Sequence, residues 1–207
     1  MPRRLLGSLA TLLAAGGLAS PPAAAMELRR WAAPEAQAAI RTLTRGALLG
    51  DPTPLASVPP ALRAPAGVFV TLSRDGVTRG CWGTATGREA SLAAELRTIA
   101  PRALTRDRRM RPIQRAELVH LVAHVSVLGP LSPLPSLQSL DPRRQGLMLT
   151  AGRRGALVLP GEAATPAWAA VLCRRKAGIG DRVLTRMYRF ETVVVGPIAL
   201  GPERTSP

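Results

Sequence analysis

The chain has 207 residues, of which 46% are hydrophobic and 20% are charged, and its formal net charge is +15. This composition is typical of one folded globular domain and argues against an intrinsically disordered chain. The positive charge does not by itself indicate a nucleic-acid-binding protein, because the basic residues are scattered and six aromatic residues offer few surfaces on which bases could stack.

The first 25 residues have the pattern of a secretory signal peptide. A basic start at residues 1–4 precedes an uncharged apolar run at residues 5–19, and small residues at 23–25 provide a cleavage site. The apolar run is too short for a comfortable membrane span, so we expect none after cleavage. The pattern predicts an exported protein, periplasmic or secreted, by the general secretory or the twin-arginine route. The alternative is a cytoplasmic protein whose translation starts at Met26.

Residues 26–198 are predicted to form a single domain, followed by a loose tail at residues 199–207. Its first helix is predicted at residues 34–49, because Pro34 suits a first helical turn and Gly50 suits a helix end. The apolar residues between them recur at helical spacing, which indicates one buried face.

A β-hairpin is predicted next, because Asp75-Gly76 favours a tight turn between strands at residues 67–72 and 77–84. The remaining predicted strands lie at residues 118–128, 146–150, 156–159 and 187–195. The remaining predicted helices lie at residues 91–104, where Pro101 is expected to kink or end the helix early, and at residues 166–177.

Helices and strands are interspersed along the chain and hairpins are evident, which predicts an α+β fold with a mixed or mostly antiparallel sheet flanked by helices. The strand at residues 187–195 is expected in the same sheet as residues 67–72, because alternating Tyr188, Phe190 and Val194 need a core face to bury against.

An ordered set of short segments resembles the AMMECR-type domain family and covers roughly residues 30–197. The matching segments lie at residues 67–72, 75–76, 79–84, 107–112, 117–118, 125–128, 146–147, 152–155, 159–160, 168, 173, 176–178 and 188–190. The resemblance implies a two-lobed α+β fold with the cysteine-bearing hairpin near the cleft between the lobes. It also implies a pathway shared with Memo-like and radical-SAM proteins, but no established reaction.

The chain departs from the family pattern at polar and cleft positions, which puts the transfer of any family activity in doubt. Trp82 stands where isoleucine is usual, and Arg108 and Met110 replace a proline and a phenylalanine. His124 stands at a position that is commonly acidic, and Gly161 stands where glutamine is usual.

The segment at residues 79–84 is the best functional candidate, because its glycines let the backbone approach a ligand closely. Cys81 is a candidate nucleophile if neighbouring arginines lower the pKa of its thiol, and the alternatives are ligand contact without catalysis and a purely structural role. The candidate ligand-binding residues are Arg79, Gly80, Asp107 and Arg108. We expect this segment to line the largest cavity together with Asp107 or Arg108.

Strand alternation places neighbouring side chains on opposite faces, so we expect Cys81 to face the cleft and Trp82 to face the packed side. The sequence does not decide whether Cys81 and Cys173 form a disulfide, because it does not give the distance between them. Trp168 is expected in the core, since its helical spacing to Leu172 suggests a shared face.

No metal site is predicted, and neither a cofactor nor a partner can be named from the sequence. His120 and His124 share one face of a predicted strand, but no further histidine or cysteine motif supports a site, so surface histidines are expected. The leading hypothesis is a module that binds a ligand or a protein partner outside the cytoplasm. The alternative is a thiol-dependent enzyme with a cleft centred on Cys81.

Overall fold

The computed structural model describes residues 22–51 and 57–202, and this part of the chain contains four α-helices and two four-stranded sheets. The helices are α1 (Pro22–Ala32), α2 (Pro34–Leu49), α3 (Leu92–Thr105) and α4 (Pro166–Ala177). The strands are β1 (Gly67–Arg74), β2 (Val77–Thr84), β3 (Val122–Leu128), β4 (Ser132–Pro133), β5 (Gly146–Ala151), β6 (Arg154–Val158), β7 (Arg186–Phe190) and β8 (Thr192–Ala199).

The large lobe is the antiparallel sheet β2-β1-β3-β8 with α2 and α3 packed on one face. Alternate residues of β1 are fully buried, and Val70 lies in one core cluster with Ile40 of α2 and Leu96 of α3. The residues between them in β1, including Thr71, therefore lie on the opposite face of the sheet. That second face of the sheet is turned away from α2 and α3, and through Phe69 it contacts the other sheet.

The small lobe is the antiparallel sheet β4-β7-β5-β6 with α4 packed against it. Leu147, Leu149 and Val158 of the sheet form a core with Ala169 and Cys173 of α4. A third cluster, in which Phe69 and Leu128 meet Leu157 and Phe190, joins the two lobes. The α+β architecture predicted from the sequence is confirmed, with two separate antiparallel sheets in place of one.

The prediction of a single late strand at residues 187–195 in the sheet of β1 is confirmed for residues 192–195 and wrong for residues 187–190. The chain forms β7 up to Phe190 beside β5, and after Glu191 it forms β8 beside β3 in the other lobe. The carbonyl of Glu191 accepts a hydrogen bond from the Gly129 N–H at 2.9 Å. Phe190 is buried before this break, whereas Val194 after it is 56% exposed and Val195 is fully buried. The buried side therefore changes from even-numbered to odd-numbered residues where the chain changes sheets, which the even-numbered pattern did not indicate.

Three local predictions about helices and turns meet different outcomes. The Asp75-Gly76 turn is confirmed, with both residues at positive φ (51° and 79°). Of the two effects expected of Pro101, the early end of α3 is wrong, because packing of this helix against β1 and β2 outweighs the lost backbone hydrogen bond, and the kink stays a prediction. Trp168 is 45% exposed rather than in the core, since α4 buries the neighbouring face that carries Ala169.

Cys81 and Cys173 are both free thiols, so the structure contains no bridge between them. Among the helices of residues 22–51 and 57–202, none combines the length and the hydropathy that a membrane crossing needs.

Candidate functional site

A cleft of about 760 Å³ separates the two lobes. The large lobe contributes residues 81–86 and, from the following loop, Asp107, Arg109 and Met110. The small lobe contributes the β5–β6 hairpin with Glu162 and Lys176. This volume lies within the range of pockets that bind small molecules.

Cys81 lies on the large-lobe wall of this cleft. It is paired across the sheet with Thr71, whose hydroxyl donates to the Cys81 sulfur at 3.2 Å. Trp82, one residue on, packs against the large-lobe core, although it also reaches the edge of the cleft. The alternation of the strand is therefore followed in that Cys81 faces the cleft and Trp82 packs on the core side, but Trp82 is not excluded from the cleft.

Asp107 fixes the loop that forms the rim of the cleft beside Cys81. Its buried carboxylate accepts a hydrogen bond from the Cys81 N–H at 3.0 Å, and it accepts two from the Arg109 guanidinium, each at 2.8 Å. The Arg109 side chain, followed by the backbone amides, holds the pKa of Asp107 below its usual range despite burial. Asp107 is thus an ionised carboxylate whose charge Arg109 already balances.

Burial raises the pKa of the Cys81 thiol above its usual value. The hydrogen bond from Thr71 and the charge of Arg109 act in the opposite direction but are the smaller effects, and the charges of Glu162 and Asp107 add to the increase. The thiol is therefore neutral at physiological pH. A neutral thiol is a weak nucleophile, so this geometry does not favour covalent catalysis by Cys81.

The basic residues that line the cleft outnumber the acidic ones. They are Arg88, Arg109, Arg153, Arg154 and Lys176, against Asp107 and Glu162. Lys176 donates to Glu162 at 2.9 Å, and Arg154 donates to the Gly178 carbonyl at 2.6 Å. Within the part of the chain that the structure describes, the side chains of Arg88 and Arg153 have neither a hydrogen bond nor an ion pair. One belongs to each lobe.

Glu95 is a fully buried carboxylate that holds the loop carrying Arg88. It accepts hydrogen bonds from the backbone N–H groups of Arg88 and Glu89, both at 2.8 Å, and from the Thr84 hydroxyl at 2.7 Å. Glu95 was not among the residues predicted from the sequence. The sequence feature that could have indicated it is an acidic residue on the apolar side of α3, four positions before Ile99.

The structure brings only some of the predicted site residues to the cleft. Cys81 and Asp107 line it, whereas Arg79, Gly80 and Arg108 do not. Arg79 turns away, where it donates to both oxygens of Glu117 at 3.0 and 3.2 Å.

Gly80 and Arg108 lie outside the cleft, in two different environments. A side chain at Gly80 would meet the backbone carbonyl of Ala103, so this glycine permits close packing of β2 on α3. Arg108 points into a separate groove beside Trp82. The expected lining is therefore confirmed for residues 81–84 with Asp107, and it is wrong for Arg79 and Gly80.

The two histidines do not share a strand face. His120 ends a 3-10 helix at Arg115–His120, and β3 begins only at Val122, so the predicted strand start at residue 118 is wrong. His120 is exposed and His124 is partly buried. Residues 22–51 and 57–202 contain no group of three His, Cys, Asp or Glu side chains arranged to hold a metal ion.

Two proteins are similar to this chain in sequence. A protein from Thermotoga maritima is 42% identical over 106 residues, which cover 50% of this chain and 61% of that protein. A protein from Methanothermobacter thermautotrophicus is 34% identical over 153 residues, which cover 66% of this chain and 78% of that protein. The matched region thus spans less than two thirds of the Thermotoga protein.

The structure is similar to the crystal structure of an uncharacterised protein from Pyrococcus horikoshii. The TM-score is 0.64 at 25% identity, and the match covers 86% of this chain and 93% of that one. The model of the AMMECR1 family matches residues 36–195. This range includes the Cys81 strand, the Asp107 loop and the β5–β6 hairpin, and the chain therefore belongs to the AMMECR1 family.

Proposed function

We propose that the protein is a binding module whose inter-lobe cleft takes a small anionic ligand. The observation that carries this proposal is the pair Arg88 and Arg153, two cations without a partner in the described chain that line the cleft from opposite lobes. A guanidinium matches the geometry of a carboxylate or a phosphate, so one anion between the lobes would satisfy both.

The apolar part of the cleft limits the ligand further. Phe69, Met148 and Leu157 line the same cavity and belong to the cluster that joins the lobes. A ligand that combines a carboxylate or phosphate group with an apolar portion fits these walls, because the cations fix the charged end and the cluster receives the rest.

The runner-up is a thiol-dependent enzyme centred on Cys81. Its support is that Cys81 lines the cleft, near Arg109, and that the family resemblance implies a shared pathway with Memo-like and radical-SAM proteins. Its weakness is the raised pKa of the thiol, which leaves little thiolate at neutral pH.

The test is a binding screen of small carboxylates and phosphates against the full chain, read by native mass spectrometry and calorimetry. We expect at least one such compound to bind, and Arg88→Gln with Arg153→Gln to weaken its affinity at least about tenfold through loss of charge-assisted hydrogen bonds. The control removes two exposed cations elsewhere, Arg143→Gln with Arg175→Gln, and should bind as the wild type does.

The same screen separates the two functions. A binding module returns the compound unchanged, and Cys81→Ser binds it with wild-type affinity. Turnover of the compound that Cys81→Ser abolishes would instead establish the enzyme. Equal losses of affinity in the Arg88/Arg153 variant and in the control variant would disprove the proposed site.

We propose further that the protein acts outside the cytoplasm, on the strength of the sequence pattern in its first 25 residues. Residues 1–21 lie outside the described part. Cleavage after Ala25 would remove the first turn of α1 but keep Trp31, whose buried indole donates to the Ala61 carbonyl at 3.0 Å. N-terminal sequencing of an exported fraction should begin near Met26, and protein found only in the cytoplasm would refute export.

A further inference from the structure

A second groove, of about 440 Å³, lies beside Trp82 and apart from the Cys81 thiol. Its lining consists of Trp82 with Arg102, Thr105, Arg106 and Arg108. We call it the arginine groove. No acidic residue borders it within the described chain, so three positive charges face one cavity without a neutralising carboxylate.

The donors of the arginine groove are free to bind a ligand. The side chains of Arg102, Arg106 and Arg108 are exposed, and in residues 22–51 and 57–202 they have no hydrogen bond or ion pair. The indole N–H of Trp82 has no acceptor among the described residues either, and since it is not a buried unsatisfied group it is open to solvent.

Helix α3 ends at this groove, but its dipole does not account for the charge there. Arg102 lies in the last turn of α3 and Arg106 caps it, positions at which a cation is favoured. The carbonyl end of a helix carries about half an elementary negative charge, which leaves most of the charge of three arginines uncompensated.

The loop that carries two of these arginines is anchored at several points. Asp107, between Arg106 and Arg108, is tied to the backbone of Cys81, and the Ile113 N–H donates to the Leu104 carbonyl at 2.8 Å. The cations are thus presented from a fixed backbone, which reduces the entropy lost when they bind an anion.

We propose that the arginine groove is a binding site for a phosphate-bearing compound whose apolar part rests against Trp82. Three guanidinium groups match the oxygens of a phosphate dianion, which Arg binds with two parallel hydrogen bonds. The indole supplies a flat apolar surface and one further donor. The arginines of this site are distinct from Arg88 and Arg153 of the cleft, and Trp82 is the one residue that lines both cavities.

The test compares inorganic phosphate with phenyl phosphate, which carry similar charge and differ by one ring. Binding is followed by the ¹⁵N-resolved indole N–H signals of the full chain, with Trp82 assigned by Trp82→Phe. We expect the Trp82 signal to shift with both probes while Trp31 and Trp168 stay in place, and phenyl phosphate to bind more tightly. Arg106→Gln with Arg108→Gln should weaken binding about tenfold or more.

The matched control is the cleft variant Arg88→Gln with Arg153→Gln, which should bind phenyl phosphate in the groove as the wild type does. A loss of binding in this variant, with none in Arg106→Gln/Arg108→Gln, would move the phosphate to the cleft and overturn the groove. Equal affinities for the two probes would overturn the contact with Trp82. Unchanged positions of the Trp31 and Trp168 indole signals in each variant show that it is folded.

Discussion

Replacing Gly80 with alanine is expected to destabilise the protein by about 3 kcal/mol, because the new methyl group has no room. The added carbon would lie 2.6 Å from the Ala103 carbonyl oxygen and 3.2 Å from the Ile113 side chain. The first of these neighbours is backbone near the end of α3, so relief requires β2 and α3 to move apart. Urea denaturation of both proteins measures the change in the free energy of unfolding.

The control for this substitution is Gly180→Ala, in an exposed loop. There the added carbon would meet only the Val183 side chain at 3.9 Å, and φ is not in the left-handed region. We expect a change within about 0.5 kcal/mol. If Gly80→Ala proves as stable as this control, the close packing of β2 on α3 is refuted, and Gly80 becomes available again as a ligand-binding residue.

Predictions from the sequence succeeded where neighbouring residues determine the structure. Helix α4 begins at Pro166 and ends before Gly178, whose φ of 62° favours glycine, and both signals lie in the helix and its flanks. The turn at Asp75-Gly76 is equally local. The break at Glu191 was missed for the opposite reason, since only the pairing of β7 and β8 with distant strands reveals it.

The candidate site was predictable only in part, because its residues meet across long stretches of chain. Cys81 could be named from its segment, but its backbone contact with Asp107 joins residues 26 positions apart. Arg88 and Arg153 are unremarkable in the sequence, where arginine is abundant, and they stand out only because the two lobes place them around one cavity. The number of arginines in the sequence could not show which of their side chains lack a hydrogen-bond or ion-pair partner.

Replacing Glu95 with alanine is expected to cost about 3–5 kcal/mol of stability, since it leaves several buried polar groups without partners. The side chain is 1% exposed, and its oxygens accept from two backbone N–H groups and one hydroxyl. Glu95→Gln should cost only about 1–2 kcal/mol, because the amide oxygen still accepts from both N–H groups and the Thr84 hydroxyl can reorient to accept. Urea denaturation of the three proteins gives the comparison.

The effect of Glu95→Ala should concentrate in the loop that presents Arg88 to the cleft. Hydrogen exchange of the Arg88 and Glu89 amides is expected to become much faster in Glu95→Ala than in Glu95→Gln, because only the alanine variant removes their acceptor. Glu35→Ala, at an exposed acid of α2, provides the control and should leave both amides protected. Similar exchange in the alanine and glutamine variants would show that something other than Glu95 holds this loop. Since Arg88 is one of the two cations on which the ligand proposal rests, weaker binding should accompany the faster exchange.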